Sequence, residues 1–196
     1  MPVQGSLFDH SERRDLGHGA WIELRSAWVD DPDALFADLL TAVPWRAEQR
    51  TMYDRVLDVP RLVSFCDLAV GPPPPPALAR LRRRLNDIYA GELGEPFTTA
   101  GFCLYRDESD SVAWHGDTVG RGGTADAMGA VASLGAPRVF AMRPAGGGQS
   151  LRLPQNPGDL LVMGGSCQRT WEHAVPKTSA PVGPRISIQF RVRGVR

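Results

Sequence analysis

His115-Gly116-Asp117 sets an imidazole and a carboxylate two residues apart. On extended chain, side chains two apart point to the same side, so this pair converges on one point. A third donor, His173, stands 58 residues downstream within Trp171-Glu172-His173. Two imidazoles and one carboxylate on one face of a metal ion form the facial set that holds Fe(II) and leaves its other positions open. Those positions would admit a co-substrate and O2 at the same ion. A structural His–Asp pair in a β fold uses the same residues, and the spacing alone does not separate the two readings.

The C-terminal run Arg185-Ile-Ser-Ile-Gln-Phe-Arg191 alternates strictly. Ile186, Ile188, Phe190 and Val192 take one side; Arg185, Ser187, Gln189 and Arg191 take the other. Two guanidiniums six residues apart on one strand lie roughly 20 Å apart, so they cannot grip one small ligand identically. One suits a carboxylate held bidentately while the other works further along the groove. An exposed polar face on an edge strand is the competing account.

The elements that must position these groups follow from periodicity and punctuation. Ala20–Leu24 reads as a short strand. Asp31 caps a helix that Pro32 and Asp33 begin, with Leu35, Phe36, Leu39, Leu40 and Val43 at helical spacing up to Pro44. The five prolines 72–76 read as a stiff entry to a second helix, 77–90, with Leu78, Leu81, Leu85 and Ile88 on one face. Its Arg80, Arg82, Arg83 and Arg84 read as a solvated face. Beyond Phe97 the pattern changes to short extended segments near 101–106, 111–116, 128–134, 137–142, 150–153, 159–163, 171–175 and 185–193. Eight short strands behind two helices predict a mostly β fold with flanking helices (α+β), either a β-sandwich or a jelly roll. Residues 1–18 read as a loose arm and 19–196 as one domain. Within it, 19–96 supply helical support and 97–196 the β core.

Composition narrows the classes. The 196 residues carry 22 basic and 22 acidic side chains, a net charge of zero that excludes a generally basic coat. The balance hides a split: residues 138–196 hold nine basic groups against Asp159 and Glu172, a net +7, offset by −7 in residues 1–137. Arg makes up 21 of the 22 basic residues, a bias of the whole chain that weakens arginine richness as a functional sign. Three dispersed cysteines without a C-x-x-C pair fit reduced thiols. With no long apolar run and a charged N-terminus, the expectation is a cytoplasmic protein with no membrane contact.

Taken in order, His115-x-Asp117, the run Gly158-Asp-Leu-Leu-Val-Met-Gly-Gly165, His173, and Arg185-x5-Arg191 resemble the AlkB family of Fe(II)/2-oxoglutarate dioxygenases. Tyr105-Arg-Asp-Glu-Ser-Asp-Ser and Pro60-Arg61 resemble its DNA-repair branch. The likeness runs from about Pro60 to Arg191. It implies a double-stranded β-helix, or jelly roll, with His115, Asp117 and His173 as iron ligands. It implies that Arg185 and the Tyr105 hydroxyl hold the distal carboxylate of 2-oxoglutarate, with Arg191 beside the metal on the co-substrate and substrate side. It implies oxidative dealkylation of N-alkylated nucleobases using Fe(II), 2-oxoglutarate and O2. The base would have to be flipped out of a duplex. The partner would be alkylated DNA, with RNA as the alternative, and the protein a monomer.

Three positions depart from the family pattern. Cys103 and Ser187 stand where the family commonly has co-substrate-binding asparagines, so the cradle must be altered; a hydroxyl still donates well and a thiol only weakly. Val119 stands where the family often has an acid that reads the damaged base. These departures keep open the same chemistry on a protein or small molecule, and a non-catalytic jelly-roll binding module. Tyr53 and Met52 lie in the nucleotide-recognition region, and the glycine-rich stretches 120–124 and 146–148 suit lid or hairpin loops. Trp114 is expected in the core and Trp171, on the His173 side, at the pocket wall.

Overall fold

The computed structural model describes residues 11–52, 55–70, 74–118 and 121–195. Its first two strands, β1 (Ser11–Gly17) and β2 (Ala20–Arg25), form a hairpin, followed by helix α1 (Pro32–Ala42). A second hairpin, β3 (Arg46–Met52) and β4 (Arg55–Asp67), leads to helix α2 (Pro76–Leu93). Then come β5 (Phe97–Tyr105), β6 (Val112–His115), β7 (Gly129–Gly135), β8 (Arg138–Pro144), β9 (Leu151–Gln155) and β10 (Leu160–Gly165). The one-turn helix α3 (Cys167–Thr170), β11 (Trp171–Val175) and β12 (Arg185–Val192) complete the order.

The strands form two antiparallel sheets, an eight-stranded one ordered β1-β2-β10-β7-β12-β5-β4-β3 and a four-stranded one ordered β6-β11-β8-β9. This is the jelly roll, one of the two architectures that the strand spacing allows and the one that the family resemblance implies. The alternation of β12 determines the layering. Ile186, Ile188, Phe190 and Val192 are fully buried against the helix side, in a core with Leu35 and Leu39 of α1 and Leu78, Leu81 and Leu85 of α2. Fully burying each such side chain is worth about 1.5–3 kcal/mol. A second apolar cluster fills the space between the sheets, joining Val131 and Leu161 to Phe140 and Met142. The other face of β12 is thereby left to polar residues.

Local signals account for the helices. Asp31 caps α1 by accepting from the Ala34 amide at 3.1 Å, and Gly94 closes α2 in the left-handed conformation. Two of the arginines read as solvated on α2 are partly buried and bonded. Arg82 donates to Leu68 O, and Arg84 donates to Trp28 O and stacks on that ring.

One expectation needs correction. Residues 11–17 are not a loose arm: they pair with β2 along the edge of the large sheet, and the Arg13 guanidinium binds Glu23 and Glu92 and covers the Trp21 ring at 3.8 Å. β3 and β4 pair as a long hairpin within the region expected to give helical support and nucleotide recognition. Ser-Glu-Arg-Arg-Asp and Arg-Ala-Glu-Gln-Arg-Thr show no apolar alternation, because edge strands are held by main-chain pairing and need no buried stripe.

Candidate active site

β6 and β11 are adjacent and antiparallel, with His115 directly opposite His173. Their rings lie 4.3 Å apart, centroid to centroid. β6 ends at His115, and two residues on, Asp117 sets Oδ1 3.9 Å from His115 Nε2. One ligand atom from each of His115, Asp117 and His173 lies within 4.8 Å of the others. The backbone around Asp117 leaves no spare room: a Cβ on Gly122, in the 3-10 turn Arg121–Gly123, would stand 2.1 Å from the Asp117 carbonyl oxygen, so glycine lets that turn seat against the ligand's backbone.

Each side chain is fixed by a second contact. His115 Nδ1 lies 2.8 Å from the Ala113 carbonyl, which only accepts, so Nδ1 donates there and Nε2 is the nitrogen turned toward Asp117 for a metal to take. The His173 ring stacks on Phe140 at 5.2 Å. Burial holds His173 neutral, lowering its pKa to about 4 against the opposing pull of Asp117. Asp117 Oδ2 accepts from Arg191 Nε at 2.8 Å, while Oδ1 faces His115. Burial pushes the Asp117 carboxyl up, but the Arg191 guanidinium, by charge and hydrogen bond, outweighs it and holds it below the usual range. The cluster offers two imidazoles and one carboxylate anion, the donor set that suits Fe(II).

A cavity of about 1010 Å³ opens beside this cluster, at the upper end of small-molecule sites. Tyr105, Cys103, Arg185, Ser187, Gln189 and Arg191 line it from β5 and β12. Arg185 is 1% exposed, and its Nη2 donates to Ser133 Oγ at 2.8 Å. Its Nε and Nη1 find no partner among the described residues. A buried guanidinium with two idle donors is costly unless an anion completes it. A carboxylate with two oxygens matches those two nitrogens. Tyr105, equally buried, has its phenol pushed well above the ordinary value, chiefly by burial, so its hydroxyl stays a neutral donor. The residues thus fit both groups that the triad chemistry requires: a divalent metal, and an anionic co-substrate beside it.

The cavity is cationic. Arg61, Arg152, Lys177, Arg185 and Arg191 line it, and Asp117 is the one carboxylate among its described lining residues. Arg61 reaches Ser111 O with Nη1 and leaves a buried Nε unpaired. Arg152 and Lys177 carried no motif and were not anticipated. Gln189 stood in plain view on the alternating face of its strand, without an assigned role.

Other expected residues lie elsewhere. Trp114 is not core: it is half-exposed at the cavity wall, with the Arg143 guanidinium 4.3 Å over its ring. Parity correctly opposes it to His115, but that face of the small sheet meets solvent. Trp171 is half-buried against the inter-sheet cluster rather than lining the cavity. Residues 146–148 are a plain connection between β8 and β9. Val119, Gly120 and Tyr53 fall outside the described residues, as does the Met52 side chain.

Comparison with known proteins agrees with this geometry. The profile of the 2OG-Fe(II) oxygenase superfamily matches residues 32–191. Alpha-ketoglutarate-dependent dioxygenase alkB homolog 3 is 30% identical over 182 residues in both Bos taurus and Homo sapiens. Those alignments cover 83% of this chain and 62% of each relative, so the chain spans somewhat under two thirds of their length. The DNA oxidative demethylase ALKBH2 of Arabidopsis thaliana is 30% identical over 135 residues, covering 57% of this chain and 43% of that protein. Among solved structures, OsALKBH1 superposes with a TM-score of 0.63 at 16% identity, over 91% of this chain and 100% of that one, a likeness of fold. Similar to alkB homologs over most of its length, the chain belongs to the 2OG-Fe(II) oxygenase superfamily.

Proposed function

We propose that this chain is an Fe(II)- and 2-oxoglutarate-dependent dioxygenase that removes N-alkyl groups from nucleobases in nucleic acid, with alkylated DNA as the first candidate. One observation carries the reading: Arg185, buried with two idle donors, opens on the same cavity as the His–Asp–His cluster. A non-catalytic binding module has no use for that pairing.

His115 Nε2, Asp117 Oδ1 and a His173 ring nitrogen would hold the iron. Arg185, with Tyr105 beside it, would take the distal carboxylate of 2-oxoglutarate. When bound, iron, 2-oxoglutarate and O2 supply an oxidation that places a hydroxyl on the N-alkyl carbon and leaves succinate and CO2. That hydroxylated carbon departs as an aldehyde, restoring the base. The protein orients the reactants: Arg191 keeps Asp117 ionised and aimed at the metal, and Phe140 fixes the His173 ring plane. Burial of His173 excludes water from its side of the site.

The substrate class rests on charge and kinship. Arg61, Arg152 and Lys177 add positive potential to the cavity wall beyond what one dicarboxylate needs, which suits a phosphate-bearing ligand. A relative carries the name DNA oxidative demethylase. The chain acts as a monomer in the cytoplasm on this reading. Its Cys66, Cys103 and Cys167 are free, and no helix among the described residues is long and apolar enough to cross a membrane.

The test is succinate release by iron-loaded protein with 2-oxoglutarate, with and without an oligonucleotide carrying 1-methyladenine or 3-methylcytosine. Succinate stimulated by the methylated strand, and abolished in His173→Ala, is expected. Release that no methylated oligonucleotide stimulates would move the substrate away from nucleic acid, and no release at all would sink the enzyme reading.

A further inference from the structure

Four polar side chains follow one another along the cavity face of β12: Arg185, Ser187, Gln189 and Arg191. Three have a role above or a fixed buried partner; Gln189 has neither. Its Nε2 donates to the hydroxyl of Ser187 and, at 3.1 Å, to the Ser187 carbonyl, two residues back on its own strand. Its Oε1 lies 3.9 Å from Cys103 Sγ on β5. Directly opposite on β5 stands Gly101, where a Cβ would approach Gln189 Oε1 to 2.9 Å and an Arg191 nitrogen to 3.1 Å. The amide therefore lies across bare backbone, between Cys103 and the guanidinium that clamps Asp117.

A dicarboxylate that reaches from Arg185 to the metal cluster must pass over this stretch of floor. Among the described residues there, Gln189 is the only side-chain amide, with two donor hydrogens and an acceptor oxygen, where Cys103 offers a weak thiol and Ser187 a single hydroxyl. The bonds to Ser187 span two residues of one strand and hold no other element in place. An amide can exchange such a bond for a stronger one to a carboxylate, because hydrogen bonds to ionised acceptors are about twice as strong as neutral ones.

We propose that Gln189 is a co-substrate-binding residue, its amide turning from Ser187 to the bound 2-oxoglutarate, and that Gly101 keeps the space in which it does so. The inference rests on the iron and 2-oxoglutarate reading above. Cys103 lies against the same amide, so an asparagine at 103 would place its own amide in the same stretch of floor.

The experiment is calorimetric titration of 2-oxoglutarate into the Mn(II)-loaded chain without turnover, with Mn(II) affinity and melting temperature measured alongside. Gln189→Met should weaken 2-oxoglutarate about tenfold, or about 1.4 kcal/mol, while leaving metal affinity and melting unchanged. Gly101→Ala, which displaces the amide without removing it, should weaken binding in the same direction. Cys103→Asn should raise affinity more in the Gln189→Met background than beside an intact Gln189, because the two amides claim one stretch of floor, and an equal gain in both backgrounds would count against a binding role for Gln189. If the wild type binds 2-oxoglutarate and both Gln189→Met and Gly101→Ala bind it equally well, the inference is overturned alone. If the Mn(II)-loaded wild type does not bind it, the co-substrate reading falls and this inference with it.

Discussion

Two buried guanidiniums approach the ring of Tyr105, Arg138 at 5.6 Å and Arg185 at 5.3 Å from its centroid. Arg138 donates to Asp107 O at 3.0 Å, and to Asp110 O and Pro176 O at 2.8 Å each. It thereby ties the turn ahead of β6 to the segment that leaves β11, the two strands that carry the histidines. Arg185 donates to Ser133 Oγ and leaves Nε and Nη1 without a partner among the described residues. Both are buried beside the same aromatic ring, so neither burial nor neighbourhood separates structure from function. Unmet hydrogen-bonding capacity does: the satisfied cation is a fastener, and the unsatisfied one awaits a ligand.

That contrast breaks if the two arginines respond alike to the same substitution. Arg138→Met strands three carbonyls in a buried pocket and should cost about 4 kcal/mol of stability by denaturant titration. Weakened co-substrate binding would be only a secondary effect. Arg185→Met should do the reverse. It removes a buried cation that the ligand-free protein cannot satisfy, so the melting temperature should hold or rise, while 2-oxoglutarate affinity falls about 100-fold, or about 2.7 kcal/mol. A large stability loss in Arg185→Met would make it a second fastener and erase the distinction.

The sequence made one side of this contrast legible and hid the other. Arg185 lies in an alternating run, and alternation by itself places Arg185, Ser187, Gln189 and Arg191 on one face. Strand period likewise converges His115 on Asp117. Arg138 opens a strand after Gly135-Ala-Pro with no periodic signature, because its partners are carbonyls from residues 107, 110 and 176, and main-chain acceptors leave no trace in residue type. The edge strand at 11–17 and the hairpin at 46–67 were hidden for a related reason, being held by backbone pairing that polar sequences satisfy as well as apolar ones. The misplacement of Trp114 has another source: parity assigns a side, but which side meets solvent depends on the packing of the whole sheet.

Protonation sharpens the comparison at the metal end. Burial depresses the pKa of His173 to about 4, with Asp117 opposing. The unfolded chain takes up that proton near pH 6.5, so between the two values the unfolded state binds more protons and stability rises with pH. Metal-free protein should therefore lose on the order of 2 kcal/mol as pH falls from 6.5 to 4. Asp117, also depressed, adds a loss of the same sign below its ordinary range. His173→Phe should flatten the slope between pH 6.5 and 4, and an unchanged slope would show that another group carries it.

Arg143 supplies the smallest expected effect and the sharpest control. Like Arg138 it lies on β8 and is satisfied, binding Glu172 through Nε at 2.9 Å and Nη2 at 2.8 Å and covering the Trp114 ring. Unlike Arg138 it is partly open to water, its side chain 31% exposed and that of Glu172 28%. Solvent can re-bond whatever its loss strands, and partly exposed ion pairs and cation–π contacts contribute under about 1 kcal/mol each. Arg143→Gln should thus cost about 1 kcal/mol or less by denaturant titration and leave 2-oxoglutarate affinity unchanged. A cost near that of Arg138→Met would mean that bonded capacity alone sets the penalty. A small one means that satisfaction fastens a strand only where water cannot replace the lost partner.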